Sequence, residues 1–141
     1  MLETIGDIWE YTATGVVAIT TNGSLTRDGR AILGRGVAKQ AGFRVPGLAG
    51  KLGGMIAEQG NHVFDLGCGI VSFPVEDTAW SHPDLRIIAR SAAELVLLAD
   101  RSGWERIVVP RPGCGGGGLS WKDVKPFVTP WFDDRFIVIS Q

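Results

Sequence analysis

The sequence predicts an α/β domain with a central, mostly parallel sheet. Two short apolar runs rich in β-branched residues, at 15–20 and 106–110, have the composition of strands buried on both faces. The strongest helical pattern lies between them at 84–100, where apolar residues recur every three or four positions after Pro83. Strands that alternate with helices in this way are typical of α/β domains with a parallel sheet.

The remaining segments extend the same alternation. They predict a loop at 22–36, helices at 37–43 and 48–59, a hairpin of strands at 63–66 and 70–73, a short helix capped by Ser120, and a last strand at 136–139. Gly53 and Gly54 have low helix propensity and weaken the prediction of the helix at 48–59. Pro126 is expected to shorten or kink the helix that follows Ser120. The 141 residues contain no repeat and no linker, so residues 1–141 are expected to form a single domain.

Charge and composition argue against several classes of function. The 14 basic and 15 acidic residues leave a net charge of -1, which gives no overall signal for nucleic-acid binding. Arg27, Arg30, Arg35 and Lys39 could still form a local basic face. No apolar run is long enough to span a membrane. With only two cysteines and no secretory leader, the protein is expected to be reduced and cytoplasmic.

No metal ion or other cofactor is predicted. His62 and His82 stand far apart in the sequence without clustered Cys or Asp partners, so both are expected at the surface rather than around a metal. A monomer is expected.

Two glycine-rich loops are the main functional signal. One lies within 22–36 and the other at 113–118, and each follows a predicted buried strand and precedes a helix. Backbone N–H groups in such loops can approach an anion closely, and the following helix adds the positive end of its dipole. Two such loops at one crevice suit a diphosphate, although Gly116–Gly118 alone could be only a flexible turn. Neither the Walker nor the dinucleotide-binding fingerprint is met, because Arg35 and Lys39 occupy decisive positions.

Four segments extend this signal along nearly the whole chain: GDI at 6–8, VAITTNG at 17–23, LGRGVAKQ at 33–40 and PGCGGGGLSW at 112–121. In this order, they resemble the macro domains, a family of ADP-ribose-binding modules. The last segment is similar to the branch that contains terminal-ADP-ribose glycohydrolases and antitoxins that reverse DNA ADP-ribosylation. The resemblance implies a three-layer α/β/α fold with a central mixed, mostly parallel sheet.

The resemblance also implies where a ligand would lie. Adenine would lie at Asp7 and Ile8, the distal ribose near Asn22, and the diphosphate between the two loops. The implied ligand-binding residues are Asp7, Ile8, Asn22, Gly34, Gly36, Val37, Gly115, Gly116, Gly117 and Gly118.

Three functions are consistent with this resemblance. The leading one is binding of ADP-ribose, either free or as the terminal group of a modified macromolecule. The alternative is an enzyme on the same fold, either an ADP-ribosyl hydrolase or an ADP-ribose-1″-phosphate phosphatase. A nucleotide-responsive regulatory module is a third possibility, disfavoured by the absent Walker motif.

The sequence departs from the family at the positions expected to be catalytic. Ile19 replaces an asparagine, Ala38 an acid after the first loop, Gly117 an acid in the second loop, and Val75-Glu76 follows Phe73-Pro74 where a lysine is used. These departures weaken the hydrolase interpretation and leave the binding interpretation intact.

Other side chains could take the place of the missing catalytic groups. Asp28 could activate water at the anomeric carbon of the distal ribose, with Asn22 orienting it. Alternatively, Asp28-Gly29 is a turn dipeptide. Glu76 and Asp77 are expected to be solvated loop charges.

Overall fold

A six-stranded mixed sheet forms the centre of the protein in a computed structural model that describes all residues from 1 to 141. The strands are β1 (Leu2–Ile5), β2 (Val16–Thr21), β3 (Asp65–Gly67), β4 (Ile70–Pro74), β5 (Ile107–Pro110) and β6 (Phe136–Ser140). The helices are α1 (Gly36–Arg44), α2 (Leu48–Gln59), α3 (Leu85–Ser102) and α4 (Trp121–Val128), with a 3-10 helix at Ile8–Tyr11. None of these helices combines the length and apolar composition that crossing a membrane requires.

The spatial order of the strands is β1-β6-β5-β2-β4-β3. All neighbouring pairs are parallel except β3 and β4, which form the antiparallel hairpin expected from the sequence. Every residue of β4 is buried, as expected for a strand covered on both faces. The prediction of a mixed, mostly parallel sheet is therefore confirmed.

Helices cover both faces of the sheet. Alternate residues of β2 separate the two cores: Val17 and Ile19 pack on the side of α1 and α2, while Ala18 packs on the side of α3 and α4. This division follows from the twofold side-chain periodicity of a strand. On the second side, Leu95 of α3 is fully buried in the same core as Ala18. The result is the predicted three-layer α/β/α arrangement.

The chain continues toward opposite edges of the sheet after β2 and after β5, since β2 leads toward β4 on one side and β5 leads toward β6 on the other. Strands β2 and β5 are neighbours, yet β2 leads to α1 on one face and β5 leads to α4 on the other. Loops that diverge in this way leave a crevice at the carboxyl ends of the strands, where α/β proteins usually bind ligands. The two glycine-rich loops border this crevice.

Two local features differ from the sequence predictions or were missed by them. Strand β1 was not predicted, because it is a short edge strand whose residues Leu2 and Ile5 are exposed and show no buried pattern. Ser120 occupies the N-cap position of α4 as predicted, but its side chain makes no capping hydrogen bond. Pro126 lies inside α4, which has 8 residues and is short as predicted.

We expect alanine substitutions at the two central glycines of α2 to have opposite effects on the free energy of unfolding. A Cβ on Gly53 would meet the carbonyl oxygen of Gly29 and lie 2.8 Å from the backbone nitrogen of Ala31, whereas a Cβ on Gly54 would meet nothing within 4 Å. We expect Gly53→Ala to lower the free energy of unfolding by about 1–3 kcal/mol through overpacking. Gly54→Ala should raise it by about 0.5–1 kcal/mol through helix propensity. Equal effects in urea denaturation would show that α2 does not pack on the first loop as described.

Candidate functional site

A cavity of about 720 Å³ opens at the carboxyl ends of the parallel strands. Its volume is within the range of small-molecule binding sites. The segments at the ends of all five parallel strands contribute to it, including Gly6 after β1, Asn22 after β2, Glu76 after β4, Arg111 after β5 and Ser140 in β6. The cavity therefore occupies the crevice that the sheet topology creates.

The first glycine-rich loop forms one wall and leads directly into α1. Gly36 adopts a φ of 62°, a left-handed conformation that favours glycine. Arg35 precedes the helix in an extended conformation, and its side chain does not cap it. The backbone N–H groups of Gly36, Val37 and Ala38 consequently have no partner within the protein. Gly34, Gly36 and Val37 all line the cavity.

The second glycine-rich loop forms the opposite wall. It is closed by hydrogen bonds from the Leu119 N–H to the Gly113 carbonyl at 2.9 Å and from the Cys114 N–H to the Arg111 carbonyl at 3.2 Å. The N–H groups of Gly115, Gly116 and Gly117 make no hydrogen bond within the protein, and all three residues line the cavity. A run of unpaired N–H groups in a turn provides an anion-binding concavity. Gly118 lies outside the cavity lining.

The Arg35 side chain bridges the two loops. A Cβ placed on Gly116 would lie 3.0 Å from Arg35 Cδ and 3.2 Å from its Nε and Nη1. The guanidinium makes no ion pair and no hydrogen bond with any protein group. Arg111 also lines the cavity, with its guanidinium 5.6 Å from the centre of the Trp121 ring. Two cationic side chains therefore border the unpaired N–H groups.

Glu76 is the one carboxylate side chain that lines the cavity. It is only 8% exposed, and its Oε2 is buried without any hydrogen-bond partner. Burial raises the pKa of the Glu76 carboxyl, while the charges of Arg35 and His82 act in the opposite direction. The expectation of a solvated charge was wrong for Glu76, although Asp77 beside it is exposed as expected.

The error at Glu76 has an identifiable cause. Phe73-Pro74-Val75 continues the buried run of β4, and Val75 still donates a backbone hydrogen bond of 3.0 Å to Thr21 in the neighbouring strand. The residue after such a run stands at the end of a central parallel strand, where ligand sites form. The position of Glu76 at the end of a buried strand could have predicted its burial. The polar residues 76–78 instead led to the prediction of a solvated loop.

Asn22 lies at the same end of the cavity as Glu76. It is 8% exposed, and its side-chain Nδ2 donates to the Ile32 carbonyl at 3.1 Å, while its Oδ1 accepts from the Ser24 N–H at 3.0 Å. These bonds tie together the beginning and the later part of the first loop. One N–H and one lone-pair direction of the amide remain free for a ligand.

Three predicted site residues, Asp7, Asp28 and Gly118, lie outside the cavity lining. Asp7 accepts a hydrogen bond of 3.0 Å from the Trp9 N–H and caps the 3-10 helix, while the neighbouring Ile8 is buried and lines the cavity. Asp28 is exposed, accepts from the Thr26 hydroxyl and pairs with Arg30 at 3.0 Å. The Thr26 and Arg30 contacts lower the pKa of the Asp28 carboxyl. This placement favours the turn interpretation and gives the catalytic role of Asp28 no support.

The other ionisable candidates are accounted for by local contacts. His62 Nδ1 lies 2.8 Å from Glu94 Oε2, and the other Glu94 oxygen accepts from the Val63 N–H. No three His, Cys, Asp or Glu side chains come together as a potential metal site. Cys114 lines the cavity, and burial raises the pKa of its thiol.

The raised pKa of Glu76 makes a prediction about stability. Since ionisation is disfavoured in the folded state, the contribution of Glu76 to stability falls as pH rises from its unfolded pKa, about 4.3, through the folded value. We expect Glu76→Gln to melt a few degrees higher than the wild type at neutral pH, with the difference shrinking below about pH 4.3. Melting curves across this range, with Asp77→Asn as the exposed control, measure the effect. A Glu76→Gln variant that melts lower than wild type at neutral pH would contradict it.

No protein-family model and no curated protein sequence matches the chain. Solved structures do match it over essentially its whole length. The macrodomain of Mycobacterium tuberculosis DarG is 22% identical, with a TM-score of 0.80 over 99% of this chain and 98% of that one. The macrodomain of Thermus aquaticus DarG is 20% identical, with a TM-score of 0.78 over 100% and 98% of the respective chains.

A third similar structure is Thermosipho africanus DarTG in complex with ADP-ribose. It is 15% identical, with a TM-score of 0.78 over 99% of this chain and 42% of the longer one. At 15–22% sequence identity, the similarity to these structures establishes the fold alone. This fold is the one that the four sequence segments imply. This chain has the macrodomain fold.

Proposed function

We propose that the cavity binds ADP-ribose, either free or as the terminal group of a modified macromolecule. The observation that carries the proposal is the pair of opposed loops, whose unpaired N–H groups at Gly36, Val37 and Gly115–Gly117 line one cavity. Backbone N–H groups and a helix N-terminus together favour phosphate oxygens. The complex of Thermosipho africanus DarTG with ADP-ribose, on the same fold, supports this ligand.

We infer the orientation of ADP-ribose in the cavity from the order of the strands. The diphosphate would lie between β5 and β2, because the two loops leave the sheet from these neighbours. Adenine would lie toward β1 and β6, near Ile8, and the distal ribose toward β2 and β4, near Asn22 and Glu76. Asp7 lies next to Ile8, and a contact with the adenine amino group requires its carboxylate to use an oxygen besides the one that caps the 3-10 helix.

The charges around the cavity are consistent with this orientation. Arg35 bridges the two loops without a protein partner for its guanidinium, so it can donate to phosphate oxygens without breaking an ion pair. Glu76, the one carboxylate side chain of the cavity lining, follows β4, and we expect the hydroxyl groups of the distal ribose rather than phosphates to meet it there. A nucleoside diphosphate joined to a second sugar fits both features.

Calorimetry with ADP-ribose and adenosine tests the proposal directly. ADP-ribose should bind, and adenosine should bind much more weakly because it cannot use the two loops. Equal affinities would place the binding energy outside the loops, and no binding of either ligand would refute the proposed function.

The second loop offers a sharper test through its glycines. Valine at Gly116 would occupy the space between the loops that Arg35 now fills, and the flexible Arg35 side chain can move away. We expect Gly116→Val to weaken ADP-ribose binding at least tenfold, about 1.4 kcal/mol, with an unchanged melting temperature. Adenosine binding should be nearly unaffected.

Gly117→Val is the matched comparison in the same loop. Its Cβ would lie 2.6 Å from both the Gly113 carbonyl oxygen and Pro83 Cγ, so this variant should lose thermal stability as well as affinity. If Gly116→Val binds ADP-ribose normally, the loop is only a turn and the diphosphate lies elsewhere.

A further inference from the structure

Arg111 is the one charged side chain of the cavity lining that the proposed contacts with ADP-ribose do not use. Arg35 bridges the two glycine-rich loops, whereas Arg111 is the first residue after β5 and lines the cavity together with Trp121. The Arg111 guanidinium makes no ion pair and no hydrogen bond within the protein. A guanidinium is always charged and offers five N–H donors, so this side chain is suited to an anionic group of a ligand.

A series of side-chain contacts positions Arg111. Its guanidinium lies 5.6 Å from the centre of the Trp121 ring, which is within the range of a cation–π interaction. The Trp121 Nε1–H donates to Glu3 Oε1 at 2.6 Å, and Lys125 Nζ lies 2.6 Å from Glu3 Oε2. The bond from Lys125, and after it the bond from Trp121, lowers the pKa of the Glu3 carboxyl. The Glu3 carboxylate is therefore paired with Lys125, and Arg111 has no carboxylate partner of its own.

The strand order brings Arg111 to the adenosine ribose of the ligand in the orientation inferred above. Adenine lies toward β1 and β6 in that orientation, and the diphosphate lies between β5 and β2. The adenosine ribose joins these two groups, so it lies over β6 and β5, and Arg111 directly follows β5. Glu76 follows β4 on the other side of β2, so the one carboxylate side chain of the lining is remote from this ribose.

The sign of the charge beside the adenosine ribose indicates which substituent the ribose carries. In dinucleotide-binding α/β folds, an aspartate or glutamate accepts a hydrogen bond from a free 2′-hydroxyl, whereas an arginine accommodates a 2′-phosphate. This cavity has an arginine at that position and no carboxylate side chain near it. A guanidinium binds a phosphate group through two parallel, charge-assisted hydrogen bonds, and a neutral hydroxyl offers no such pair of acceptors.

We propose that the cavity prefers ADP-ribose that carries an additional phosphate on its adenosine ribose, and that Arg111 binds this phosphate. The proposal rests on the proposed function, because the two loops and Arg35 hold the diphosphate as described there. Arg111 then donates to the added phosphomonoester, while Trp121 and Glu3 keep the guanidinium at the edge of the cavity. The ligand class is the ADP-ribose unit of a dinucleotide that is phosphorylated on its adenosine ribose.

Calorimetry with ADP-ribose and 2′-phospho-ADP-ribose tests this proposal. The wild type should bind the phosphorylated ligand at least about tenfold more tightly, as expected for hydrogen bonds between charged groups. Arg111→Met should bring the two affinities within about threefold of each other, less than one tenfold step in binding, and change the affinity for ADP-ribose little. Arg111→Lys should keep part of the preference, because lysine retains the charge without the paired donors. Arg101→Met, at an exposed arginine of α3 outside the cavity, is the control and should keep all of it.

Smaller ligands test the position of the added phosphate. Adenosine 2′,5′-bisphosphate and adenosine 3′,5′-bisphosphate are each compared with adenosine 5′-monophosphate on the wild type and on Arg111→Met. A gain in affinity with at least one bisphosphate, lost in Arg111→Met, supports the proposal and identifies the ribose oxygen that carries the phosphate. No gain with either bisphosphate would contradict it.

The possible results separate this proposal from the proposed function. If the wild type binds both forms of ADP-ribose equally, or the phosphorylated form more weakly, the preference is refuted and the binding of ADP-ribose stands. This comparison needs no variant, so it decides the question even if Arg111→Met does not fold. An Arg111→Met variant that keeps the preference, or that weakens both ligands in equal proportion, would overturn the role of Arg111. Failure of the wild type to bind either form would refute both proposals.

Discussion

The chain proceeds toward opposite edges of the sheet from the neighbouring parallel strands β2 and β5, since β2 leads toward β4 and β5 leads toward β6. Because such crossovers share one hand, the two connections leave the sheet toward opposite faces. The loop after β2 runs to α1 and the loop after β5 runs to α4, so the loops separate above a single pair of neighbouring strands. Their unpaired N–H groups then face one cavity from two sides. Without this pairing, the same glycine-rich segments would be two unrelated turns.

The cavity has one part that is lined by main-chain groups and another that is lined by side chains. The walls formed by the two glycine-rich loops depend on backbone N–H groups and on conformations such as the positive φ of Gly36. The end of the cavity beside β2 and β4 depends on Asn22, whose amide holds the first loop together, and on Glu76, which has no protein partner for Oε2. A buried unpaired carboxylate lowers the stability of the unliganded protein, and stability sacrificed at one position is characteristic of a functional site.

The sequence predicted the parts of the structure that repeat a local pattern. The alternating apolar residues of α3, the β-branched runs of β2 and β5 and the hairpin of β3 and β4 follow from periodicity, and the two loops follow from glycine content. Strand β1 was missed because exposed edge residues carry no periodic signal. Asp28 is exposed in a local turn with Thr26 and Arg30, as one interpretation of the sequence had it. Glu76 is buried because β4 continues its pairing beyond Pro74, and the polar residues 76–78 obscured that signal.

The fold is shared with solved structures at about one-fifth sequence identity, which is compatible with a cavity whose two loops depend on main-chain groups. Backbone donors tolerate replacement of flanking side chains, provided that glycines remain where φ is positive or where a Cβ would collide with backbone, as at Gly117. Ala38 and Ile19 are both buried in the core on the side of the first loop, and the N–H group of Ala38 has no partner within the protein. The side chains of Asn22 and Glu76 are therefore the positions at which this end of the cavity can differ in chemistry while the two loops keep their main-chain donors.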